Sequence, residues 1–466
     1  MLIRRFADYT ASVSTADLPE DAIHGAKRCV IDWFASTLRG GMEAPATLLT
    51  DALVDVIGDG PGTGQGTNKA VLYPSGKTTD PRTAALINGA AVHTIEFDDI
   101  FRDGLYHPAA PVITAALAVA QARGLTGEAL LRSVIAGYEV SNRMAVAVNP
   151  AHYEYWHTTA TIGTFGAAAA ASAALGLDGE KTAHAMANAG TLAAGLQQAF
   201  RADAMAKPLH TAHAAETGVT LALAAEKGVT GALDILEGER GFGAAMCPGI
   251  ENGPDWQTAA DDLGRSFTVT RITFKNHAAC GHAHAANDGV LALRAEHGLK
   301  PGDIARIRVA TFQKALEITG SKNPQTIFEA KFSLPYCAAV ALRDGRVRMA
   351  AFSAAHLADQ ELRDLIEKVD VSVDAGIDAE FPERRAAKVT IETTGGETFE
   401  HYSPTRKGDP DNPLSDGELA EKFIELTQPV LGEDGAQALL GALWRLDETD
   451  DLTALPVNAA KATAAQ

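Results

Sequence analysis

Histidines, lysines and carboxylates gather in a few short stretches of this chain. The run His93-Thr-Ile-Glu-Phe-Asp-Asp99, followed by His107-Pro108, brings carboxylates and histidines into what reads as a loop between helices. On spacing alone, the simpler reading is a solvated acidic turn that caps the helix near Pro111. Tyr153-Glu-Tyr-Trp-His157-Thr-Thr159 places a histidine among aromatics just before a helix start. There it either faces a pocket, where the helix N-terminus would favour an anion, or is a satisfied histidine in an aromatic plug. Lys207-Pro-Leu-His210, with His213 after it, reads on its own as a surface lysine ahead of a helix beginning near Ala214. Lys275-Asn-His-Ala-Ala-Cys280-Gly-His-Ala-His284 reads as the exit of a strand and the start of a helix. Cys280, His282 and His284 raise a metal reading, but their spacing fits no zinc signature. Glu329-Ala-Lys-Phe-Ser-Leu-Pro-Tyr336 reads as a core segment.

Other chemistries find no support. The chain contains no G-x-S-x-G, Walker loop, G-x-G-x-x-G or H-E-x-x-H. Serine hydrolase, P-loop and dinucleotide-binding readings therefore fall away. The 59 acidic and 40 basic residues leave a net charge of −19, which argues against a nucleic-acid binder. Cys29, Cys247, Cys280 and Cys337 form no C-x-x-C pair. Free thiols in a reducing compartment are expected. The opening MLIRRFADYT lacks a secretory pattern, and no apolar run is long enough to span a bilayer. A cytoplasmic protein without membrane contact is the expectation.

The elements that must position these residues are mostly helices. Asp17-Leu-Pro-Glu20 reads as a helix start with a capping residue and a first-turn proline, and Gly40-Gly41 as its end. Asp80-Pro81 opens another helix. Helices are also expected over 111–123, 127–144, 164–175, 181–194 and 214–227, many of them built on alanine. Alanine favours helix and lets axes approach closely, but each buried one adds little apolar area. Stability must then come from many helices packed together, with a contribution from a subunit interface left open. From Ser266 the pattern changes. Residues 267–274, 307–309 and 388–392 alternate like strands, with a turn at Gly395-Gly396. Helical stretches are expected at 284–297 and 354–368. After the loop at 409–415, helix returns over 416–426 and 436–444, and the end frays from Pro456.

Taken in order, these stretches resemble the MmgE/PrpD family. Its members dehydrate 2-methylcitrate, decarboxylate cis-aconitate or epimerise iminodisuccinate. The resemblance is carried by the segment from Asn88 through Glu-Phe-Asp-Asp to His107-Pro, and by Trp156-His-Thr-Thr-Ala-Thr-Ile-Gly-Thr-Phe-Gly166. Lys207-Pro-Leu-His210, Lys275 with Cys280 and His284, Phe332-Ser-Leu-Pro-Tyr336 and Arg406-Lys-Gly408 continue it. It implies a mainly α fold: a large all-helical domain of residues 1–266 completed by 405–466, with an inserted smaller α+β lid domain of 267–404. It also implies a homodimer, a pocket between the domains, a small anionic di- or tricarboxylate substrate, and no metal, nucleotide or flavin.

Carried over residue by residue, the resemblance implies catalytic roles for His157, Lys207, His107 and Tyr336, and the epimerase alternative adds Cys280, with His284, as a second acid–base group opposite His157. It implies substrate binding by Asp98, Asp99, Lys275, His284 and His210. Two residues depart from the decarboxylase-like pattern: Ile100 where a threonine follows the paired aspartates, and Cys280 where a histidine stands. Glu96, where aspartate is common, departs less. The expected reaction is therefore a hydro-lyase of the 2-methylcitrate dehydratase kind, with epimerase or decarboxylase as alternatives. In each, charge builds on a carboxylate as an enediolate that cations and donors must hold. His157 is expected to move the proton, Lys207 and Lys275 to bind carboxylates, and Asp98 and Asp99 to orient His107 or a lysine. A silent binding protein on the same scaffold, or a metal-dependent hydrolase using Cys280, His282 and His284, are the readings from other classes.

Overall fold

The computed structural model describes residues 1–53, 55, 68–201, 204–251 and 253–457. The fraying expected from Pro456 falls, beyond residue 457, outside the described residues. The chain forms two compact units, one of Met1–Thr273 with Ser415–Gln466, the other of Phe274–Leu414.

The first unit is built from helices, of which the longer ones are α1 (Leu2–Ser12), α2 (Glu20–Gly40), α3 (Pro81–Thr94), α4 (Ala109–Arg123), α5 (Gly127–Val148), α6 (Thr158–Ala174), α7 (Gly179–Leu192) and α8 (Ala206–Glu226). Their ends follow local chemistry. Asp80 accepts from the backbone N–H groups of Arg82 and Thr83, with Pro81 in the first turn, so α3 starts there. Gly124 closes α4 in the left-handed conformation at φ 66°. For α2, Pro19 is itself the N-cap and no side chain caps the helix, so the expected cap at Asp17 is not made. Nearly every residue of α6 is buried. Its packing depends on missing side chains: a Cβ on Gly166 would lie 2.7 Å from the Ser141 Cβ of α5. Small residues let these axes approach, replacing large side chains with close backbone contact. Trp33, Phe34 and Tyr73 add an edge-to-face aromatic cluster, with the Trp33 indole donating to Thr114 at 2.9 Å.

The second unit holds α9 (His284–His297), β1 (Ile304–Thr311), α10 (Leu334–Asp344), α11 (Gln360–Glu367), β2 (Val369–Val373), β3 (Ala387–Thr393) and β4 (Thr398–Ser403). The sheet order is β2-β1-β3-β4. β1 pairs parallel to β2 and antiparallel to β3. β3 and β4 form an antiparallel hairpin, turning through Gly396 at φ 87°. α9 packs on β3, β4 and α10.

The strand expected over 267–274 does not form. Thr268–Arg271 is a 3-10 turn, and only Thr273 pairs, in an isolated bridge to Ile100. Buried Glu139 explains this: its carboxylate takes both the backbone N–H and the hydroxyl of Thr268. That partner outweighs the β-branched pattern. The chain then returns to the first unit as α12 (Asp416–Trp444), capped by the reciprocal Ser415–Glu418 pair. Gly432 interrupts α12 at φ 76°, ψ 171°, after Pro429, giving the two expected helical stretches. No helix among the described residues is long and apolar enough to cross a membrane. The four cysteines are free and buried.

Candidate active site

The chemistry-bearing residues of the first unit converge from three elements. His93 lies in the last turn of α3 and is fully buried. After it the backbone passes through Glu96 at φ 57°, a left-handed conformation that few non-glycine residues adopt. Asp98 and Asp99 follow, both fully buried. The solvated acidic turn favoured on spacing is thus a buried one. Its capping role stands, because Asp99 Oδ1 accepts from the Ala109 N–H at 3.0 Å where α4 begins.

Asp98 is the hub of this loop. Its Oδ2 lies 2.8 Å from His93 Nδ1 and 3.3 Å from His107 Nδ1. Burial pushes the Asp98 carboxyl up, but the two imidazoles outweigh it and hold it well below the usual carboxylate range. Asp99 goes the other way. Burial, then the nearby Asp32, push its carboxyl well above that range, and the Tyr138 hydroxyl donates to Oδ2 at 2.8 Å. Two adjacent aspartates therefore differ in proton affinity because their neighbours differ.

His157 is the N-cap residue of α6, but its side chain makes no cap hydrogen bond. Its backbone N–H donates to Gly195 O at 2.9 Å. The ring stacks toward His93 at 5.9 Å between centroids and meets Phe200 edge-on at 4.8 Å. His157 is buried and His210 half-buried, with 3.1 Å between their Nδ1 atoms. Burial first, then His93 and Lys207, push His157 well below its ordinary value and His210 down to about 4. Of the two readings open for residues 153–159, the plug fails at Tyr155, which is exposed.

The helix expected from Ala214 starts eight residues earlier, at Ala206. Lys207 and His210 therefore share one face of the first turns of α8. Lys207 is buried, not a surface lysine. Its ammonium pairs with Glu96 and lies 5.5 Å from the Phe200 ring centroid. Behind the loop, Lys422 of α12 donates to Asp32 Oδ1 at 2.6 Å and to Phe97 O at 2.7 Å, all three buried.

The first unit thus brings His107, His157, Lys207, His210, Asp98 and Asp99 into one neighbourhood. His93, Glu96, Phe200, Tyr138 and the Asp32–Lys422 pair were absent from the expected set. His93 and Glu96 sit inside the quoted motif and were legible there. Asp32 and Lys422 are 390 residues apart, and no local signal joins them.

The other expected residues lie in the second unit. Lys275 and Cys280 are buried, and the Cys280 N–H donates to Lys331 O at 2.8 Å. His284 Nε2 contacts Ala279 O at 3.1 Å, with the His277 ring edge-on at 5.0 Å. Burial first, then His277, lower its affinity for a proton well below the ordinary value. The Tyr336 hydroxyl donates to Ala351 O at 2.6 Å. Arg406 forms a buried two-pronged pair with Asp409. The strand expected to precede Lys275 is absent, as described above.

Among the described residues, His93, Asp98 and His107 form the group that could hold a cation, with donor atoms within 4.8 Å of one another. The Cys280–His282–His284 set weighed from sequence does not meet that criterion among the described residues.

The MmgE/PrpD N-terminal domain model matches residues 4–254 and the C-terminal domain model residues 277–448. A human cis-aconitate decarboxylase is 29% identical over 391 residues, covering 80% of this chain and 78% of that protein. The mouse cis-aconitate decarboxylase is 28% identical over 385 residues, with the same shares covered. The cis-aconitate decarboxylase-like protein oryM of Aspergillus oryzae is 25% identical over 468 residues, covering 96% and 95%. Two consecutive domain models spanning most of the length, with the buried imidazole–lysine cluster inside the first, place this chain in the MmgE/PrpD family.

Proposed function

We propose that this protein is a lyase that acts, without a cofactor, at the carbon next to a carboxylate of a di- or tricarboxylate. The observation that carries the reading is the group of buried His93 and His157 with half-buried His107 and His210 beside the Lys207–Glu96 pair. It joins proton-transfer groups and a held positive charge, as carbanion chemistry beside a carboxylate requires. His93 Nε2 and Asp98 Oδ1 are also buried and meet no hydrogen-bond partner among the described residues, which suits a site for a polar ligand.

In this reading His157 moves the proton. Its lowered proton affinity leaves it neutral near pH 7 and able to accept. A bound polyanion raises that affinity when the base is needed. Lys207 holds a substrate carboxylate while Glu96 fixes the ammonium. Asp98 orients His107, which assists the leaving group. Lys275, Cys280, His284 and Tyr336 keep, as proposals, the roles the resemblance implies, as does the homodimer.

The simplest reaction is a hydro-lyase of the 2-methylcitrate dehydratase kind. The names of the relatives favour a second reading, decarboxylation of a cis-aconitate-like acid, against which Ile100 and Cys280 depart from that pattern. NMR in deuterated water with citrate, methylcitrate, aconitate, tartrate and iminodisuccinate isomers tests both. A hydro-lyase gives an unsaturated acid, a decarboxylase a product one carboxyl shorter, and an epimerase α-deuteration alone. Metal analysis of the purified protein tests the cofactor-free part. His157→Ala should lower turnover by about 10²–10⁴-fold with the helical signal intact. Near-normal turnover would remove His157 from the reaction.

A further inference from the structure

His157 and His210 touch through the same nitrogen of each ring, at 3.1 Å. Two Nδ1 atoms at that distance share one proton: one donates and the other accepts. Whichever way it lies, it sets the tautomer of both rings. With the proton on His157 Nδ1, Nε2 of His157 is a bare acceptor. With it on His210 Nδ1, His157 carries its proton on Nε2. The pair therefore has two states, and the state decides whether His157 Nε2 can take a proton or give one.

The surroundings keep the pair together. His157 is buried, whereas His210 is half-buried on α8. The carbonyl of Gly195 accepts the His157 N–H. Gly195 sits at φ 140°, and a Cβ there would lie 2.4 Å from Ala160 Cβ and 3.4 Å from His210 Cγ and Nδ1. Glycine is required to bring that carbonyl in beside the second ring. The charged or titratable groups around the pair are His93 of α3, His107 of the following loop, Lys207 on α8, and His213 beside His210.

We propose that His210 is the proton relay of His157, carrying one proton between the buried ring and solvent. This rests on the proton-transfer reading above. The substrate α-hydrogen leaves as a proton to His157 Nε2, and its electron pair stays on the carbon. The Nδ1 proton of His157 passes to His210 Nδ1, and His210 releases its Nε2 proton to water. In a dehydration, His157 Nε2–H then protonates the departing hydroxide, which His107 holds by a hydrogen bond as the C–O bond breaks. His210 returns its Nδ1 proton to His157 and takes a proton from water at Nε2. One proton leaves, one enters, and both rings regain their first tautomer. His210 acts through His157 and is a positioning residue, distinct from the substrate-binding role first expected of it.

The test uses the full chain labelled with [15N]histidine, the His157 signals being identified by their loss in His157→Ala. His210→Asn supplies an amide that can donate to or accept from His157 Nδ1 but relays no proton, and His210→Ala supplies no partner. The relay predicts that His210→Ala, which loses the shared proton, changes the His157 nitrogen shifts. It also predicts that both variants slow hydrogen exchange into substrate by about 10²-fold or more, and that added imidazole restores part of the rate in His210→Ala. Wild-type exchange in His210→Asn, or an unchanged His157 nitrogen pattern in His210→Ala, would overturn it. If the wild-type protein exchanges hydrogen with no polycarboxylate, the lyase reading fails. The nitrogen shifts then decide the histidine pair on their own.

Discussion

Lys422→Met tests whether α12 holds the loop that carries Glu96, Asp98 and Asp99. Lys422 Nζ is 2.6 Å from Asp32 Oδ1 and 2.7 Å from Phe97 O, and neither charged side chain touches solvent. At an effective dielectric near 20, the gross attraction across 2.6 Å is about 6 kcal/mol. Desolvating two ions costs several kcal/mol each, so the pair as a whole contributes little net. Losing one partner is different, because Asp32 then stays buried without its ammonium close to Asp99. That costs about 3–5 kcal/mol, a large part of ordinary domain stability. Asp32→Asn combined with Lys422→Met removes the stranded charge and should recover most of the loss. Hydrogen exchange read by mass spectrometry is the suitable assay, since two compact units need not unfold together. Lys422→Met should speed exchange in peptides covering 95–101 and 416–426 while the β1 peptide 304–311 stays unchanged. Turnover should fall with it as the loop loosens. A loss under about 1 kcal/mol in Lys422→Met, or a double variant as weak as the single one, would refute the reasoning.

Two further outcomes are expected. Gly195→Ala forces a side chain against Ala160 and the His210 ring. It should cost about 1–3 kcal/mol in melting experiments and reduce turnover more than an alanine at exposed Gly249; equal behaviour of the two variants would contradict this. Acid should destabilise the protein. His152 and His210, each pushed down to about 4 chiefly by burial, and His157 and His284, likewise lowered chiefly by burial, bind protons in the unfolded chain from about pH 6.5 downward but not in the folded one. Their stabilisation is present above pH 6.5 and is lost as pH falls. Asp99 and Glu139, raised by burial, work in the opposite sense but are fewer. Each proton in excess amounts to about 1.4 kcal/mol per pH unit. The melting midpoint should therefore drop from pH 7 to pH 5, and an equal or higher midpoint at pH 5 would show that another set of groups dominates.

Local chemistry was readable where it acts within a few residues. Asp80-Pro81 and the Gly395-Gly396 turn mark element ends by hydrogen bonds and backbone angles that need no distant partner, though the cap expected at Asp17 is not made. Ordered motifs along the chain also carried the family, and with it the expectation that His107, His157 and Lys207 act together. Where long-range partners compete, local pattern misled. Residues 267–274 alternate like a strand, yet Glu139 from another helix captures Thr268 and makes a turn. Lys207 reads as a surface residue until α8 is seen to begin at Ala206 and Glu96 to meet its ammonium.

The residue types by themselves determined which chemistry was available: imidazoles, a lysine and carboxylates in motif order, with no nucleotide loop or zinc signature. Charge state and partnership were decided only by the tertiary structure. Asp98 and Asp99 are neighbours of one type, yet one faces two imidazoles and the other a buried aspartate and a tyrosine hydroxyl. Proton affinity depends on burial and on charges within a few ångströms, and those neighbours come from helices far apart in the chain.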